Sequence, residues 1–174
     1  MGAWGGVIMA FFGAFFAALT MYWHGKLTGL ALAWPYLVFA LIGVAALCVI
    51  RLPGTGLVPS ERVKRALIWS SAAEGIGIFV ASNIVINVHH PDWLLPAMAV
   101  IVGLHFLPIA YAASSSVYYI LGGVLIAAAG AGFVLSAPLG GVVAGVMAAS
   151  SLWIAAIFAV RRDLRAKRSS AVAG

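Results

Sequence analysis

The chain has 174 residues, 64% hydrophobic and only 8% charged, with a mean hydropathy of +1.12 and a formal charge of +6. A soluble domain carries charge on about a quarter of its residues, so this composition excludes a soluble fold. Helices need roughly 20 apolar residues each to cross a bilayer, and the length accommodates six such spans with no soluble domain beside them. The single cysteine, Cys48, lies in an apolar run, which excludes an intrachain disulfide. No CxxCH for haem attachment and no paired CxxC for zinc occurs.

The first predicted helix covers about 3–23 and closes on Tyr22, Trp23 and His24, an aromatic interface belt. It lacks the basic leader of a signal peptide and is expected to be retained. Gly6, Ala10, Ala14 and Ala18 recur every fourth residue, a face on which another backbone can approach closely. The second helix is expected over about 30–51, stopped by Pro53, Gly54 and Gly56. Ser60 is placed to start the third, over about 66–88. The fourth follows at 93–112 after the turn His89-His90-Pro91-Asp92, with Asp92 as its expected N-cap. The fifth spans 117–136 and the sixth 139–160, the latter with a Gly141/Gly145 pair that suits tight packing.

The expected fold is therefore all-α: one domain over 1–160, a membrane bundle of six transmembrane helices. A basic tail follows over 161–174, with a short disordered end. With six spans, Arg51, Arg62, Lys64, Arg65, Arg161, Arg162, Arg165, Lys167 and Arg168 share one side and only Lys26 lies on the other. That asymmetry predicts both termini in the cytoplasm. The same clustering makes the lipid bilayer the expected partner, with anionic headgroups at the basic tail. The tail has no interleaved aromatics, which argues against nucleic acid.

Two ionisable residues fall inside predicted spans. Glu74 lies about 12 Å into the third helix at 1.5 Å per residue. An ionised carboxylate there costs several kcal/mol unless it is paired or hydrated. The third and fourth helices form an antiparallel hairpin about His90, so residues whose numbers sum to roughly 180 share a depth, and His105 is the partner at Glu74's depth. A buried Glu–His pair can relay a proton, because histidine titrates near neutrality. The bland alternative satisfies each separately: Glu74 on Ser70 or Ser71, and His105 on the carbonyl that Pro108 leaves free.

Ile78, Ala81, Ser82 and Val85 share the face of Glu74, whereas Asn83 and Asn87 fall on the opposite one. Polar groups on both faces predict a third helix at the centre of the bundle, with the asparagines bridging helices. Gly75 and Gly77 beside Glu74 suit close packing, local unwinding or ligand access, and Pro96 and Pro108 are expected to break the hydrogen-bond ladder of the fourth helix at both ends and to kink it. His24, His89, His90 and Asp92 have metal-ligand chemistry, but adjacent histidines lack the spacing that puts two ligands on one helix face. No lysine lies mid-span for a retinal, and no Walker loop, HExxH or GxSxG is present.

The stretches EGIGIFVASNIVIN (74–87) and PAMAVIVGLHFLP (96–108) resemble a pattern in small, uncharacterised bacterial integral membrane proteins. The resemblance covers about a quarter of the chain and implies a bacterial inner-membrane protein without a mechanism. Three functional readings follow. The first is permeation of a small molecule or ion, proton-linked through Glu74 and His105 with Ser71, Asn83 and Asn87 as further polar groups. The second is a membrane cofactor protein holding haem, quinone or metal, and the third an accessory subunit or homo-oligomer packed through its small-residue faces.

Overall fold

A computed structural model describes residues 2–172, and those residues fold as six helices joined by short turns: α1 (Ala3–Trp23), α2 (Trp34–Arg51), α3 (Glu61–Asn87), α4 (Leu94–Ala113), α5 (Ser116–Val134) and α6 (Leu139–Val172). All six are long and apolar enough to cross a membrane, and among the described residues there is no strand.

The boundaries follow local chemistry. Ser60 Oγ accepts the Val63 amide at 3.4 Å, satisfying one of the free N–H groups of the first turn. Lys64 pairs with Glu61 at 2.7 Å, so the polar segment 61–65 is already helical and α3 starts ahead of the expected 66. Helices α2 and α4 are each led in by a single 3-10 stretch, Gly29–Ala33 and Pro91–Trp93. Asp92 sits inside the second of these, and the cap position of α4 falls to Trp93 with no side-chain bond, so the expected Asp92 cap is not formed. Pro96 lies in the first turn, where an amide has no helical acceptor to lose, and α4 continues through Pro108 to Ala113. Pro108 has no N–H to donate, so the expected break in the hydrogen-bond ladder falls there, inside a helix that continues past it. The expected end of the sixth helix at 160 is corrected as well: α6 continues unbroken past Arg161 to Val172, and the last part of the expected disordered end, 173–174, lies outside the described residues.

Small residues set the helix pairings. A Cβ on Gly6 would meet Val160, one on Gly13 would meet Trp153, and one on Gly145 would collide with Thr20. These contacts fix α1 antiparallel to α6, and they make Gly141 and Gly145 the surface that receives His24 and Thr20. Gly103 meets Gly122 in the same way between α4 and α5. Around them Phe16, Leu95, Ile109, Leu125 and Leu152 form a core in which α4 and α6 touch most of their neighbours.

Helix α3 is at the edge, not the centre. Its helix neighbour is α4, and Ile76 and Phe79 on its outer face are 67% and 70% exposed. One stripe is sheltered, containing Val63, Ser70, Glu74 and Val85, with Ile78, Ala81 and Ser82 half-buried beside it. Asn83 and Asn87 lie on the exposed face. Each donates back to its own helix, to the carbonyls of Phe79 and Asn83 at 2.8 Å, so neither bridges to a neighbour. That local bonding removes the need to enclose α3.

Candidate functional site

The edge position of α3 opens a cleft between it and α1. The cavity has a volume of about 280 Å³. Ile8 and Phe12 of α1 form one wall, Leu67, Ser71 and Gly75 of α3 the other, and Val102, Phe106 and Leu152 close the back. Glu74 and His105 stand together in this apolar frame, Nδ1 to Oε2 at 3.1 Å, with side chains 9% and 8% exposed. The depth match expected from the α3–α4 hairpin is met, and the two side chains also face each other. Ser70 Oγ turns back to the Leu67 carbonyl at 3.3 Å and does not hold Glu74.

The pair is incompletely hydrogen-bonded. His105 Nδ1 is buried and has no well-aligned hydrogen-bond partner, although the Glu74 carboxyl is in range. A neutral imidazole protonated on Nε2 presents its Nδ1 lone pair to Glu74. A protonated carboxyl donates into that lone pair, and moving the proton across gives a carboxylate–imidazolium pair. Both states keep the pair's net charge at zero, which a low-dielectric site favours.

The glycines after Glu74 have separate roles. A Cβ on Gly77 would press on Ile101 at 3.1 Å, so Gly77 allows α3 to lie close on α4. Nothing lies within 4 Å of a Cβ on Gly75, which opens onto the cleft. Ser71 also lines the cleft, whereas Asn83 and Asn87 are absent from its lining and face outward.

The opposite end of the bundle carries the other candidates. His90 stacks on Trp93 with ring centroids 4.4 Å apart, and His89 closes α3 with φ of 59°. Asp92 is near enough to act on His24, but burial dominates there and lowers the His24 pKa, with Lys26 adding to the lowering. Among the described residues, no group of three or more His, Cys, Asp or Glu side chains stands where it could hold a metal ion. His24, His89, His90 and Asp92 are thus not brought together as a ligand set.

Two further polar residues went unrecognised in the sequence. Asp163 and Lys167 read as part of a basic tail, yet they are 5% and 9% exposed. Asp163 accepts the amides of Ala3 at 3.2 Å and Leu57 at 2.7 Å, and Lys167 donates to the carbonyls of Ile50 and Leu52 at 2.8 Å. Together they cap the start of α1 and the end of α2 from α6. The lone acid among the basic residues was the available signal. A second cavity, about 340 Å³, lies beside them and shares Gly5, Ile8 and Leu67 with the Glu74 cleft. The two cavities therefore adjoin along α1, between the Glu74–His105 pair and the basic end.

No protein-family model, curated protein or solved structure matches this chain, so the resemblance carried by 74–87 and 96–108 transfers no activity.

Proposed function

We propose that this polytopic membrane protein conducts or translocates a small molecule or ion in a proton-linked manner, with Glu74 and His105 exchanging the proton. The observation that carries the reading is the pair itself: a carboxyl and an imidazole 3.1 Å apart, on the wall of an apolar cleft that adjoins a second cavity at the basic end. Intramembrane ionisable groups are expensive and concentrate on proton and substrate paths. The cleft suits a cargo that is mostly apolar with one hydrogen-bonding group, since Glu74, His105 and Ser71 are the polar side chains lining it. Positive-inside bias orients the basic end to the cytoplasm of a bacterial inner membrane.

The test is carboxyl infrared difference spectroscopy on the purified protein, with proton flux into vesicles measured in parallel. The expected result is a protonated-carboxyl band that is lost in Glu74→Gln and shifts in His105→Ala, as the imidazole facing the carboxyl is removed. Proton flux falls in both variants. A band indifferent to His105, or flux unchanged in Glu74→Gln, rules the reading out.

The exposure of Ile8 and Gly75 at the mouth favours a second reading, in which a lipid-soluble ligand such as a quinone enters sideways and stays. A chromophore or extractable quinone that copurifies with the wild type, and is depleted in His105→Ala, supports retention over passage.

A further inference from the structure

We propose that the basic end of the α5–α6 groove is a binding site for one anionic phospholipid, separate from the Glu74 cleft and independent of its function. Arg161, Arg162 and Arg165 line a cavity of about 180 Å³, whose remaining wall includes Val117, Ala155 and Phe158. At 100° per residue the three arginines and Phe158 fall within one 100° arc of a helix. They converge only because α6 stays helical beyond residue 160. The unbroken apolar stretch from Leu139 to Val160 is about 33 Å long at 1.5 Å per residue, close to a hydrocarbon core of about 30 Å. Arg161 therefore emerges at headgroup depth, and Phe158, 59% exposed, lies at the level of acyl chains.

The charges are arranged for phosphate. Arg162 reaches the Tyr118 hydroxyl at 3.5 Å and lies over its ring, which holds its guanidinium against the groove. Among the described residues no carboxylate is within ion-pair distance of Arg161 or Arg165, because Glu61, Glu74 and Asp163 are engaged elsewhere. Guanidinium forks match phosphate oxygens in pairs. A free phosphate would use the arginines alone, whereas the adjoining apolar wall offers an acyl chain its own contact surface. That wall selects a phospholipid.

The experiment is native mass spectrometry of the full chain in mild detergent, titrated with phosphatidylglycerol or phosphatidylcholine. Phosphatidylglycerol adducts are expected to form with roughly tenfold preference, and Arg161→Gln/Arg165→Gln to weaken them by a similar factor. A Phe158→Trp variant, quenched by phosphatidylglycerol with brominated chains, reads the same groove without touching the arginines. Equal retention of the two lipids, or unaltered binding by the double variant, overturns the site. So does an equal loss in Arg65→Gln, which would mark diffuse surface charge. Displacement by millimolar inorganic phosphate would make it a free-anion site and overturn the lipid assignment.

Discussion

Two buried carboxyl groups, Asp163 and Glu74, are handled in opposite ways. Asp163 accepts two backbone amides, and its neighbour Lys167 donates to two backbone carbonyls, so each charge completes a helix end. Glu74 meets a single imidazole whose Nδ1 lacks an aligned hydrogen bond, and it does so on a cavity wall. The first arrangement is structural: it ties the start of α1, the end of α2 and α6 into one unit. The second leaves a proton position open. Partial satisfaction beside a cavity is what marks the second as a candidate site.

Conservative amides break this comparison most directly. Asp163→Asn keeps the shape but turns one acceptor oxygen into a donor facing an amide, and is expected to cost about 2 kcal/mol. Glu74→Gln is expected to cost less than about 1 kcal/mol, because an amide can still donate to Nδ1. Both are read from unfolding in detergent, and the reverse order would make Glu74 the structural group.

The glycines give the next largest contrast. Gly145→Val drives a side chain into Thr20 across the α1–α6 contact and is expected to lose about 2 kcal/mol by overpacking. Gly75→Ala meets nothing and should gain up to about 1 kcal/mol of helix propensity while narrowing the cleft. A Gly75→Ala variant that is destabilised would show that the cleft closes around that position.

His24 supplies the smallest effect. Burial holds its folded pKa below the ordinary 6.5, so the fold favours the neutral ring. Its contribution to stability is complete above about pH 6.5 and is lost as the pH falls from there toward the lower folded value. His24→Gln should flatten that part of the stability profile. An unchanged slope would assign the acid sensitivity to another group.

The number of spans, their order and the gathering of basic residues at one end follow from the sequence alone, since hydrocarbon thickness and chain length leave few alternatives. So does the shared depth of Glu74 and His105, because a short turn locks the register of an antiparallel hairpin. Tertiary structure decided which helix lies at the edge. That depended on α1 and α6 meeting through Gly6, Gly13, Gly141 and Gly145, contacts between residues more than a hundred positions apart. Asn83 and Asn87 misled the sequence reading because their bonds go to their own helix, and periodicity cannot distinguish a local acceptor from a neighbouring one. Asp163 was equally hidden. Its partners, Ala3 and Leu57, come from distant segments brought to one point only when α1 packs against both α2 and α6. Hydropathy fixes depth, but the facing of side chains is settled by how closely the backbones can approach.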